Sequence, residues 1–363
     1  MELLLKSIEN AYHLGDVMDI TVFLEHSSSK ETQDLVRQYL SQKTNKKQLR
    51  HRIAAAPKNS IFVESWYPSS NHEYAILLNN ELELSKFYYI WAKYTILSTR
   101  YSSKNTHRNH RLFGISLYSP ELLETDLSGR KLFSSNSTEQ PYLMQWPSYL
   151  GAVYFPEHWR EFHDYITARL ADQQGYQLQD ISLPNLRSSE WSYKSTWRRY
   201  FEELIYLRSY VMLYPPTGSS LSTAHIELKK KSLKKDFEDA VSLYNVPLLT
   251  ETSQWAEIAT ALQEHPQTDM ALFDIWGEPA TMSQLKKKGL DLHLQVSACT
   301  PDDLLLEELP LQEEDNDNVE ETIPTFDPSD ILCPFSKVVS VPLETENDTV
   351  PNVLPVKEVN VYT

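Results

Sequence analysis

Glycine is scarce in this chain, with 8 residues in 363. A typical protein carries about 7%, so a phosphate cradle built from a glycine-rich loop is not expected. Cysteine occurs only twice, at Cys299 and Cys333, which excludes a disulfide framework and a cysteine-based zinc knuckle. No window offers the run of about 18 apolar residues that a membrane span needs, and the opening stretch from Met1 to Glu9 is too short and charged for a signal peptide. Excess positive charge is absent as well. The formal net charge is −16, so no surface built to coat nucleic acid is expected.

That charge is unevenly spread. Residues 302–363 hold sixteen Asp and Glu against two lysines, and seven prolines with no glycine. This composition reads as an acidic disordered tail, residues 301–363, with a protein partner as its expected use. Residues 1–300 are nearly neutral and rich enough in apolar side chains to bury a core. The basic run Lys229 to Lys235 lacks interleaved aromatics and reads as a solvated segment. Cytoplasmic residence is the expectation for the sequence as it stands, and the secretory pathway if an amino-terminal anchor precedes it.

Within residues 1–300 helical and extended patterns alternate. Leu4, Ile8 and Ala11 recur at helical spacing, Ile20 to Glu25 is β-branched and apolar, and Ser29 is placed to cap a helix from Glu31 to Leu40. A basic loop over residues 46–52 follows, then the apolar strand Tyr74 to Leu78, an aromatic helix from Phe87 and a strand from Phe113. Pro156 opens another helix, and Trp197 to Leu207 is a helix leading into the strand Tyr210 to Tyr214. Such alternation predicts an α/β fold with a mostly parallel sheet flanked by helices.

In α/β sheets ligands gather at the carboxyl ends of strands. The residues that follow Tyr74 to Leu78 are Asn79, Asn80, Glu81 and Glu83. Asn79 and Glu81 would share one side of an extended chain and present oxygen atoms suited to a hard divalent cation. The competing reading is a polar strand end followed by a helix cap. Arg50 and Arg52 are candidate charged hydrogen-bond donors, with a solvated basic loop as the alternative, and Glu64 and Trp66 are candidate pocket walls, with a core position for the tryptophan as the alternative. Glu157, Glu161 and Asp164 follow Pro156 on one helix, where a carboxylate could accept a proton from a hydroxyl; a solvated helix face is the alternative.

Five ordered blocks, Tyr12–Asp16, Val63–Asn71, Tyr74–Ser85, Gly114–Pro120 and Phe155–Phe162, together resemble a family of glycosyltransferases in fungi and plants that is similar to the family-two, GT-A type of nucleotide-diphospho-sugar transferases. The resemblance implies a GT-A-like fold, a nucleotide-sugar donor, a hydroxyl acceptor, and Mn²⁺ or Mg²⁺ held at an Asp-x-Asp motif. His225, in the block Ser222–His225, would join Asn79 and Glu81 at the metal or phosphate. In the family pattern Leu-Leu-Glu-Asp-Asp-Ile-Glu-Val-Ser-Pro, this chain puts Asn79 and Asn80 where two carboxylates stand, Glu81 for the third and Lys86 for the proline. The motif is degenerate, and a metal ion should be held less strongly. The resemblance also implies an opening strand ahead of the first helix, which the sequence before Glu2 does not provide. Two readings stay open: a hexosyltransferase of weakened activity, and a catalytically inactive GT-A-like binding or scaffold protein.

Overall fold

The computed structural model describes residues 1–41, 46–55, 62–101, 111–123, 130–132, 140–172, 183, 197–225, 244–264, 270–296, 323–324, 338–339 and 358–362. In chain order the elements are α1 (Glu2–Glu9), β1 (Asp19–Leu24), α2 (Lys30–Leu40), β2 (Lys47–His51), β3 (Ala75–Asn79), β4 (Leu82–Leu84), α3 (Tyr88–Arg100), β5 (Leu112–Ser116), β6 (Leu122–Leu123) and β7 (Arg130–Lys131). They continue with β8 (Tyr142–Met144), β9 (Ala152–Tyr154), α4 (Pro156–Asp172), α5 (Trp197–Arg208), β10 (Val211–Tyr214) and β11 (Ser222–Ala224). After these come α6 (Thr252–Glu264), β12 (Leu272–Phe273), α7 (Met282–Val296), β13 (Ile323–Pro324), β14 (Val338–Val339) and β15 (Glu358–Tyr362).

The fold is mixed α/β. Its main sheet has nine strands in the order β12-β8-β10-β5-β9-β3-β15-β1-β2. β2, β1, β15 and β3 run parallel, β9 is antiparallel to both β3 and β5, and β10 is parallel to β5. Alternation along β3 explains why helices cover both faces. Ile76 and Leu78 point into one core with Leu4 and Leu5 of α1, Ile20 and Val22 of β1, Val36 of α2 and Trp91 of α3. Ala75 and Leu77 point the other way, into an aromatic core with Trp159 and Phe162 of α4 and Trp197 and Phe201 of α5.

Local signals account for several boundaries. The Ser29 hydroxyl accepts the Thr32 amide at 3.2 Å, the expected cap of α2. Residues 46–52 depart from the expected loop, because Lys47–His51 form the edge strand β2, paired parallel to β1 from Ile20↔Lys47 to Leu24↔His51. An edge strand needs only one apolar face and tolerates lysine and arginine, so its charge disguised it. The acidic tail departs from expectation in its described segments. Most of residues 301–363 lie outside the described residues, as do Lys229 to Lys235, but Ile323–Pro324 and Val338–Val339 pair as β13 and β14, and Glu358–Tyr362 form β15, an interior strand of the main sheet.

β15 lies between β1 and β3, with Ile20↔Val359↔Ile76 and Val22↔Val361↔Leu78 in register.

Close packing of the middle strands requires Gly114 on β5. A Cβ there would lie 2.5 Å from the Val153 carbonyl oxygen of β9 and 2.9 Å from Met212 Cε of β10. Because the nearest atom is backbone, the sheet itself must shift. Gly114→Ala should therefore lower unfolding stability by about 2 kcal/mol, the usual scale of overpacking; a urea melt that matches the unaltered chain would contradict this packing.

Candidate functional site

Four strands end side by side at the carboxyl edge of the parallel part of the sheet. Register pairs Arg50 with Phe23, Phe23 with Tyr362, and Tyr362 with Asn79. At about 4.8 Å between neighbouring strands, Arg50 and Asn79 are roughly 14 Å apart across this row. Asn79 is partly exposed, and Phe23 shares its aromatic core with Ala75 and Leu77.

Over β1 and β2 the same face opens into a polar groove lined by Asp19, Thr21, Phe23, Lys46, Gln48, Arg50 and Ser65. The Arg50 guanidinium lies 5.5 Å from the centre of the Phe23 ring. Beside it, Arg52 bridges two carboxylates, with Nη2 at 3.1 Å from Glu64 and Nε at 3.5 Å from Glu25. Trp66 is buried against Trp159, and its carbonyl accepts the Trp159 indole N–H at 2.8 Å. The four residues expected to meet a donor thus share one neighbourhood. Only Arg50 lines the groove; Arg52 and Glu64 satisfy each other, and Trp66 belongs to the core. Phe23, Gln48 and Ser65 were missed, although the alternation Asp19, Thr21, Phe23 on β1 was available as a signal.

At the other end of the row the chain turns from β3 into β4. β11 pairs antiparallel with β4, with Thr223 opposite Glu83 and Ala224 opposite Leu82. This pairing brings His225 to the turn, where its amide donates to the Glu81 carbonyl at 2.9 Å. Asn79, Glu81 and His225 do meet, but not as a set of metal ligands. The Asn79 amide oxygen accepts the Glu81 backbone N–H at 3.0 Å, and its nitrogen donates to the Tyr149 carbonyl at 3.4 Å. His225 Nε2, the atom that would ligate, is 2.9 Å from Glu83 Oε2. Among the described residues no group of three or more His, Cys, Asp or Glu is placed to hold a metal ion. The side chains present do not fit Mn²⁺ or Mg²⁺, and no chemical step is derived through one.

Glu157, Glu161 and Asp164 lie elsewhere. Tyr154 pairs with Ala75, so α4 starts beside the amino end of β3. Four residues of strand separate Ala75 from Asn79, about 13 Å. Glu157 is bound to Arg100 at 2.5 Å, and that guanidinium also lies over the Phe155 ring at 4.5 Å. Burial pushes the Glu157 carboxyl up, but the Arg100 charge overrides it and holds the group at about 2. Glu161 is buried, accepting from Arg208 Nε at 2.8 Å and from the Tyr210 hydroxyl at 2.6 Å. Asp164 is half-buried; burial raises its carboxyl, and His163 Nδ1 is 4.0 Å away. Two of them neutralise buried arginines, and all three lie on the helix that packs against residues 66–71 ahead of β3.

The family model described as the SPBC1E8.03c C-terminal domain matches residues 1–175, the segment from α1 through α4. No curated protein matches the chain. Among the described residues no helix is long and apolar enough to cross a membrane.

The Arg100–Glu157 pair makes a prediction for stability. A carboxyl held below its ordinary value near 4.5 contributes stability above that pH and loses it as pH falls toward 2. Glu157→Gln leaves Arg100 buried without its counter-charge and should cost about 3 kcal/mol at neutral pH. Denaturation followed from pH 6 to 2 should find the gap between the two chains narrowing below 4.5. A gap that stays constant would mean that the pair is not formed.

Proposed function

We propose that this chain is a GT-A-like domain of glycosyltransferase type that binds a nucleotide-diphosphate ligand at the carboxyl edge of β1, β2 and β3 without transferring its sugar. The observation that carries this reading is a separation. The candidate proton acceptors stand at the amino end of β3, the degenerate Asp-x-Asp segment stands at its carboxyl end, and the groove runs along β1 and β2, with β15 between it and β3. Transfer to a hydroxyl needs a base within hydrogen-bond reach of the acceptor, and Glu157 and Glu161 are committed to Arg100 and Arg208.

Support for the ligand class comes from the resemblance of the sequence blocks to nucleotide-sugar transferases and from the polar groove along the parallel strands β1 and β2. Arg50 and Lys46 are the cations of the groove, Lys46 lying 3.4 Å from Asp19, and Phe23 supplies an aromatic surface beside Arg50. Gln48, Thr21 and Ser65 add neutral donors and acceptors in the same groove. On this reading the ligand is held by charge and hydrogen bonding from the protein alone.

Titration of tryptophan fluorescence with UDP, GDP and UDP-sugars, with and without Mn²⁺, tests the proposal. Saturable binding that is insensitive to Mn²⁺, weakened about tenfold in Arg50→Ala and unaccompanied by sugar release, is the expected result. Mn²⁺-dependent turnover abolished by Glu81→Ala would establish the active-transferase alternative instead.

A further inference from the structure

The centre of the main sheet is completed by five residues that reach it from a distant part of the chain. β1 and β3 do not pair with each other; each spends one edge on β15, over Asp19↔Glu358 to Phe23↔Tyr362 on one side and Glu358↔Ala75 to Tyr362↔Asn79 on the other. From these pairings we infer that the gap between β1 and β3 is a strand-receiving site and that Glu358–Tyr362 is its tethered peptide ligand, able to leave and return as a unit.

Two independent features support this. The first is the match of pattern to register. Val359 and Val361 occupy the rows flanked by Ile20 and Ile76 and by Val22 and Leu78, whose side chains all face the core under α1 and α2. Glu358, Asn360 and Tyr362 occupy the alternate rows, which contain Asp19, Thr21 and Phe23. A slip of one residue would exchange every row, so the peptide fits in one register. The second is topology. Parallel pairing demands a long connection, and the chain from Val296 to Glu358 supplies one. Among the described residues that connection adds only the two-residue ladder of β13 and β14. Recognition would be backbone pairing on both edges with a two-residue alternation of side chains, the chemistry of strand addition placed at the middle of a sheet.

Occupancy also bears on the carboxyl edge. Tyr362 is the register neighbour of both Phe23 and Asn79, so the row that runs from Arg50 to Asn79 is continuous only while the strand is docked. This consequence rests on the binding role proposed above; the docking itself does not.

The test uses the full-length chain. In Val359→Pro/Val361→Pro each proline removes a backbone donor that a central strand must supply, which should empty the gap. A fluorescent peptide of residues 356–363 should bind this variant saturably and bind the unaltered chain at least tenfold less, since the tethered copy competes at high effective concentration. Equal binding to both chains, or binding to neither, overturns the inference. Hydrogen exchange on the unaltered chain keeps the test decisive should the variant not fold. Amides of residues 359–362 should exchange at least a hundredfold slower than in the free peptide and independently of protein concentration. Exchange at the free-peptide rate, or protection that is lost on dilution, overturns it.

Discussion

The arrangement depends on backbone hydrogen bonding at the middle of the sheet. A buried strand edge with unpaired N–H and C=O groups is costly, and β1 and β3 are both buried strands whose inner edges face the same gap. Filling it with β15 lets α1, α2 and α3 close over one face and α4 and α5 over the other. It also sets the carboxyl ends of four strands in one row. The groove at Phe23 and Arg50 and the turn at Asn79 are two ends of that row, so the candidate site follows from the same pairing.

Charge is organised along the opposite edge. The Arg100–Glu157 and Arg208–Glu161 pairs, together with Arg169 and Arg199 on Glu203, tie α4 to α3 and to α5. Pairs this deeply buried lose much when broken, because the surviving charge has no solvent. Carboxylates bound in this way are poor bases. The acid-rich helix α4 therefore carries structure here, and the groove is the candidate for recognition under the function proposed above.

Much of the fold was legible in the sequence because its signals are local. The Ser29 cap, the apolar run of β3 and the proline that opens α4 each act within a few residues. β2 escaped notice because an edge strand needs no apolar alternation, and Lys47, Arg50 and His51 read as a basic loop. β15 escaped for a different reason: Val359 and Val361 alternate as a strand should, but five residues within an acidic, proline-bearing tail are outweighed by their surroundings. The site was half legible. Arg50 and Asn79 lie on the edge where the strand-end rule puts ligands, whereas the partners of Glu157 and Glu161 are 57 and 47 residues away in sequence and no local pattern announces them.

Photoaffinity labelling with an azido-nucleoside diphosphate, followed by peptide mapping, tests most directly whether the carboxyl edge is the binding surface. The account predicts labelled peptides containing residues 19–26, 46–52 or 62–66, with labelling suppressed by excess unmodified nucleotide. Labelling concentrated on residues 157–164, or none that excess nucleotide suppresses, would contradict it.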